Sequence, residues 1–143
     1  ELAGEMSGHF FFQERWYGFD DGLYSAARLL EILANRAETP SEVLAALPDG
    51  VSTPEIKVPV PTGTPHEIVA RFVEGASFEG ARLSTIDGLR ADWDDGWGLL
   101  RASNTTPILV LRFEADNKEA LARIKDEFRA HLATVAPQLK ATF

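Results

Sequence analysis

The chain has 143 residues, 45% hydrophobic and 25% charged, with 22 acidic side chains against 14 basic ones and a net charge of −8. That is enough for one ordinary domain, or one and a half small ones, with the composition of a soluble globular protein. The acidic balance argues against wrapping nucleic acid, which calls for a basic face, but leaves room for a local anion site.

There is no cysteine, so neither a disulfide framework nor a thiolate metal site is expected. That fits a reducing, cytoplasmic setting. No apolar run approaches the roughly 18 residues that span a bilayer, and no signal peptide is visible, so no membrane partner is expected. The chain opens at Glu1 without an initiator Met. It moves at once into Phe10-Phe11-Phe12 with no preceding strand to pair with that run, and the expectation is a piece of a longer protein.

Gly4-Glu5-Met6-Ser7-Gly8-His9 reads as a loop, and His9 to Trp16 as a strand broken by Gly18 and Asp20-Asp21-Gly22. A helix follows from about Gly22 to Asn35. Its Leu23, Ala26, Ala27, Leu30 and Leu33 keep the i, i+3, i+4, i+7 spacing of a buried face, widened by Leu29 and Ile32. Thr39-Pro40-Ser41-Glu42 is a capping box with Pro at the first helical position. It opens a short helix, Pro40 to Leu47, stopped by Pro48. Prolines and turn residues then cluster, and the periodicity changes from helical to alternating. Residues 1–48 are therefore expected to be one body, 49–54 a linker and 55–143 a second domain.

The second domain starts with a strand, Glu55 to Val60, in which Ile56, Val58 and Val60 face one way and Pro59 marks an edge. Thr64-Pro65-His66-Glu67 is another capping box, opening a helix to Gly75 that buries Ile68, Val69 and Phe72. Strands Arg82 to Ile86, Leu89 to Trp93 and Trp97 to Ala102 are separated by Asp87-Gly88 and Asp95-Gly96, strong hairpin signals. Ile108 to Phe113 is apolar almost throughout and reads as central. Asp116 with Glu119 is expected to cap a last helix buried through Leu121, Ile124, Phe128 and Leu132, and the tail from Pro137 to Phe143 to be extended. The order β-α-β-β-β-β-α predicts an α+β domain: an antiparallel sheet with two helices on one face, preceded by a strand–helix remnant of an α/β domain.

Two stretches carry candidate chemistry. Arg101-Ala102-Ser103-Asn104-Thr105-Thr106-Pro107 offers a guanidinium, three hydroxyls and an amide with no carboxylate. Such a set suits a phosphate, or is simply a polar hairpin tip. In Gly4–His9, Glu5 could accept hydrogen bonds from adjacent sugar hydroxyls, Ser7 could add one, and His9 could move a proton; a solvated glycine-rich turn is the bland alternative. Asp20-Asp21, Asp92, Asp94 and Asp95 are better explained as cap and turn residues than as metal ligands, since the ligand count is incomplete. His66 and His131 default to surface positions, and Trp16, Trp93 and Trp97 to packing. No nucleophile elbow, Walker loop or dinucleotide fingerprint occurs.

The two loops, in this order and about a hundred residues apart, with Phe19-Asp20-Asp21-Gly22, Asp87-Gly88 and Gly96-Trp97-Gly98-Leu99, resemble the bacterial phosphomannomutase/phosphoglucomutase branch of the α-D-phosphohexomutase superfamily. The similarity runs over essentially the whole chain. It implies the end of the third and the whole of the fourth of four domains, with the N-terminal domains of the same protein as missing partners.

The resemblance further implies that Glu5 and Ser7 read hexose hydroxyls, that His9 lies near the transferring phosphate, and that Arg101, Ser103, Asn104 and Thr105 hold the other phosphate. Met6 sets the chain apart from related phosphoglucosamine mutases, which typically carry Gln there. The implied reaction interconverts 1-phospho and 6-phospho hexoses through a bisphosphorylated sugar, glucose 1,6-bisphosphate for glucose. It uses Mg²⁺ and a phosphoserine that belong to domains not present here. This part alone is then expected to bind hexose phosphates without catalysis, and to expose apolar surface around Phe10 to Phe12 and the helix from Gly22. A non-catalytic sugar-phosphate module, or a protein-interaction domain, is the alternative.

Overall fold

The computed structural model describes residues 1–5, 7–61, 63–139 and 143. The chain divides into two compact units, Glu1–Pro48 and Asp49–Phe143.

In the first unit, β1 (Leu2–Gly4) and β2 (Phe10–Phe12) form an antiparallel ribbon with Leu2 opposite Phe12 and Gly4 opposite Phe10. This corrects the expectation that Phe10–Phe12 has no preceding partner. It also shortens the expected strand, because Gln13 to Phe19 turns away. Arg15 sits there at φ 59, and its guanidinium forks onto Glu31 at 3.0 and 2.7 Å. Arg28 reaches Glu14 at 2.6 Å. These contacts hold both carboxyls below their ordinary range: Arg28 chiefly for Glu14, Arg15 chiefly for Glu31.

Helix α1 (Gly22–Ala34) is capped by Asp21, whose carboxylate accepts from the Leu23 and Tyr24 N–H groups. Its expected buried face is largely open: Leu23 is 87% exposed and Leu30 64%. Exposed Phe10 and Ile32 belong to the same uncovered apolar surface that the sequence implied. Helix α2 (Pro40–Ala45) forms on the Thr39–Glu42 capping box as predicted and ends sooner than Leu47.

The second unit begins inside the expected linker. β3 (Val51–Ser52) pairs with residues Ala115 and Glu114, and Thr53 exchanges hydrogen bonds with Phe113 through its N–H and Oγ1. β4 (Ile56–Pro59), α3 (Pro65–Glu74), β5 (Arg82–Ser84), β6 (Leu89–Trp93), β7 (Gly96–Ala102), β8 (Ile108–Ala115) and α4 (Lys118–Val135) follow. The sheet order is β3-β8-β7-β6-β5, with β4 also on the outer edge of β8. All its pairings are antiparallel, and β8 is central as expected.

Alternation builds the core: Leu89, Ala91, Leu100, Ala102, Leu109, Leu111, Phe113 and Ala115 share one face. Against them pack Ile68 and Phe72 of α3 and Ile124, Phe128 and Leu132 of α4. Burying one such large side chain contributes about 1.5–3 kcal/mol. Gly98 is where α4 approaches β7 most closely, since a Cβ there would lie 2.7 Å from the Phe128 ring. The cap of α4 is Asn117 and not Asp116, and Leu121 is only half-buried while Ala120 is buried. The expected extended tail lies partly outside the described residues; Pro137–Leu139 form a turn.

Candidate functional site

Arg101 and Ala102 end β7, and Ile108 opens β8. Alternation sends Ala102 into the core and Arg101 to the face that carries no helices, where it is half-buried. The connecting loop closes on itself through Ser103. Its N–H donates to the Ile108 carbonyl at 3.1 Å, and its Oγ accepts from the Thr105 and Thr106 N–H groups at 3.3 and 3.2 Å. The same Oγ lies 2.9 Å from the Thr106 hydroxyl. One acceptor oxygen thus gathers two backbone donors and a hydroxyl, groups that an anion oxygen could equally engage. Asn104 and Thr105 are exposed at the tip.

The Arg101 guanidinium donates through Nη1 to Asp87 at 3.1 Å. That uses one of its five N–H donors. Asp87 comes from the turn between β5 and β6, held against β7 by Gly88 at φ +78. Sequence reading took Asp87-Gly88 as a hairpin signal and as part of the resemblance, without a contact to Arg101. The signal it missed was register, since only the pairing of β6 with β7 brings residue 87 beside residue 101.

In the first unit, Glu5, Ser7 and His9 occupy the tip of the β1–β2 ribbon. The tip is closed by Glu5 N–H to the His9 carbonyl at 2.9 Å and Gly8 N–H to the Glu5 carbonyl at 3.0 Å. Gly8, at φ +90, makes the turn. The Ser7 hydroxyl donates to Glu5 Oε2 at 3.0 Å, so serine holds one carboxylate oxygen and the other faces solvent. His9 Nδ1 lies 2.6 Å from Asp20 Oδ2, a partner that sequence spacing did not suggest. Met6, read as a discriminating residue, lies outside the described residues.

The remaining candidates are structural. Asp92 pairs with Arg90, Asp95 with Arg123, and Asp21 caps α1. Among the described residues no three His, Asp or Glu side chains converge where a metal ion could be held, so this part of the chain offers no fit to Mg²⁺. His66 is exposed, whereas His131 is half-buried: its Nε2 lies 2.8 Å from the Phe72 carbonyl and its ring packs edge-on to Phe72. Trp93 donates to the Glu79 carbonyl at 3.0 Å, Trp97 carries the Arg90 guanidinium 4.1 Å from its ring centre, and Trp16 stacks on Tyr24.

Comparison with known proteins places these loops in a family. The family model for the phosphoglucomutase/phosphomannomutase C-terminal domain matches residues 55–131, and that for alpha/beta/alpha domain III of the same family matches residues 1–51. The phosphomannomutase/phosphoglucomutase of Pseudomonas putida is 55% identical over 142 residues, covering 99% of this chain and 31% of that protein. The phosphoglucomutase of Neisseria meningitidis serogroup A is 58% identical over 131 residues, covering 90% of this chain and 28% of that protein. A crystal structure of a phosphoglucomutase/phosphomannomutase family protein from Burkholderia thailandensis matches with a TM-score of 0.90 and 53% identity, over 99% of this chain and 30% of that one. The chain spans under a third of the length of these relatives, and it belongs to the phosphoglucomutase/phosphomannomutase family.

Proposed function

We propose that this chain is the sugar- and phosphate-holding part of a hexose-phosphate mutase, which interconverts the 1-phospho and 6-phospho forms of glucose and mannose through a bisphosphorylated sugar. Residues 1–48 would be the end of an α/β third domain with the sugar loop, and 55–143 the fourth domain with the phosphate loop. The division into units after Pro48 and the matches to residues 1–51 and 55–131 support this boundary.

The observation that carries the reading is the loop of Arg101, Ser103, Asn104 and Thr105. An arginine whose guanidinium has donors to spare comes two residues before a hydroxyl that already collects two backbone N–H groups. A phosphate there exchanges neutral loop contacts for charge-assisted ones. The loop grips a phosphate and demands little of the sugar, which suits a reaction whose intermediate must present either end. Glu5, steadied by Ser7, accepts from neighbouring ring hydroxyls. His9 takes the proton of the attacking sugar hydroxyl as its oxygen bonds to phosphorus and the bond from phosphorus to the donor's ester oxygen breaks. Holding the reactants in line is the main catalytic contribution open to such residues. The metal and phosphoserine of the family reaction would come from outside the matched residues, and no step here runs through a metal.

The test is a titration of this chain with glucose 1-phosphate, read by amide shifts of Ser103 to Thr106. Saturating shifts there are expected. Arg101→Ala, losing one charge-assisted contact of roughly 1.5–3 kcal/mol, should weaken binding roughly 10- to 100-fold. Absence of shifts at high millimolar ligand, or equal binding by the variant, would overturn the assignment.

A further inference from the structure

We propose that Asp20 is a positioning residue for His9, deciding which imidazole nitrogen is free to take a proton. This rests on the reading of His9 as the proton-transfer group. The chain brings the two together by backbone as well as side chain. His9 immediately precedes β2, and Phe11, two residues on, forms an antiparallel bridge with Asp20. The two neighbouring aspartates divide the work. Asp21 spends its carboxylate on the Leu23 and Tyr24 N–H groups at 3.0 Å each, while Asp20 Oδ2 lies 2.6 Å from His9 Nδ1.

At neutral pH a carboxylate only accepts hydrogen bonds, so Nδ1 must carry the proton in this contact. A neutral imidazole has one donor and one acceptor nitrogen, which leaves the lone pair on Nε2. Asp20 therefore selects the tautomer that exposes Nε2 as base. It also ties the ring to the residue that precedes the cap of α1. Half of the His9 side chain is open to water, with side-chain exposure of 53%, as is much of Asp20 at 43%. At that exposure water competes for Nδ1 when Asp20 is removed.

Long-range ¹H–¹⁵N NMR of His9 in this chain reads the tautomer directly. The wild-type neutral ring is expected as the Nδ1–H form. Asp20→Ala and Asp20→Asn should move it to the Nε2–H form that neutral histidine prefers in water. A wild-type Nε2–H ring, or a tautomer indifferent to both substitutions, overturns the proposal.

Activity is read in the Pseudomonas putida relative carrying this chain in place of its matching segment. Asp20→Ala should lower kcat roughly 10- to 100-fold, as loss of partners that orient histidines does elsewhere, with KM for glucose 1-phosphate unchanged. His9→Ala should lower kcat at least as far. Full activity in His9→Ala would overturn the reading of His9 while leaving the tautomer result standing. An inactive His9→Ala beside a fully active Asp20→Ala, or an Asp20→Ala effect on KM alone, would overturn the positioning role.

Discussion

Gly88→Ala tests how the turn that carries Asp87 is held against Arg101. Gly88 lies at φ +78, and a Cβ added there would sit 2.2 Å from the Leu100 carbonyl oxygen, 2.7 Å from Arg101 Cα and 2.8 Å from Arg101 Cβ. None of these is the end of a flexible side chain. They belong to β7, whose Leu100 is fully buried and whose Ala102 is 6% exposed, so the strand cannot retreat. The turn must lift instead, carrying Asp87 away from Arg101. A left-handed φ costs an L residue about 1–2 kcal/mol, and overpacking adds about 1–3 kcal/mol.

Gly80→Ala in the same unit separates the two contributions. Its φ is +74 but the nearest atom is Trp93 Cδ1 at 3.9 Å, so it should bear only the first cost. In a domain of this size each 1 kcal/mol moves Tm by about 4–8 °C. Thermal unfolding followed by circular dichroism should place Gly88→Ala about 4–24 °C below Gly80→Ala, the range set by the second cost. Equal Tm values for the two variants would refute the argument that close approach, and not φ alone, demands glycine at residue 88.

Three further outcomes are expected. Gly98→Ala places a methyl 2.7 Å from Phe128 and 3.0 Å from Phe113, both fully buried, and should destabilise by about 1–3 kcal/mol in urea; an unchanged midpoint would show that α4 has room to move. Glu42 is held below its ordinary range by the Thr39 hydroxyl first and the Thr39 N–H second. A depressed folded value means that the cap stabilises α2 above the unfolded carboxylate pKa and is lost as pH falls through the folded one. Thr39→Ala should bring the Glu42 carboxyl titration part of the way back up, and identical titrations would remove the cap from the account. Hydrogen exchange should be fast along the two-stranded β1–β2 ribbon, since such ribbons are marginal alone, and slowest along β7 and β8; the reverse order would contradict the burial pattern.

What the sequence made legible was local chemistry. Both capping boxes were readable because serine- and threonine-type caps announce themselves three residues ahead of a glutamate. The hairpins of β5 to β7 followed from Asp-Gly turns and period-two alternation. What stayed hidden depended on partners far along the chain. Leu2-Ala3-Gly4 has no strand pattern and becomes one only by pairing with Phe10–Phe12. Val51 and Ser52 looked like linker because their pairing with Glu114 and Ala115 is not written locally. Asp116 was the expected cap, and the sheet decides otherwise: the Asp116 N–H is taken by the Asp95 carbonyl at 2.9 Å, and the Asn117 side chain accepts from the Ala120 N–H. The same holds at the candidate sites. Every loop residue that carries chemistry could be named from its type, while the carboxylates beside them, Asp20 and Asp87, are eleven and fourteen residues away and needed the register.

Those two carboxylates separate what each loop can do. Arg101 ends a strand whose neighbours on both sides are paired and whose inner face is buried. Its guanidinium is tied to a turn that glycine lets rest on that strand. That contact gives the fork a direction before any anion arrives. Such preorganisation is what an anchor needs, because ordering costs met in advance do not weaken binding. The Glu5–His9 tip instead rides a two-stranded ribbon with no fully buried side chain in the described residues of its unit. There the fixed geometry is local: Ser7 on Glu5, Asp20 on His9. Local pairs can set a carboxylate oxygen and a tautomer, but they cannot set the position of the whole loop. Placement of His9 must therefore come from contacts beyond the ribbon, whereas placement of Arg101 is already determined by the sheet.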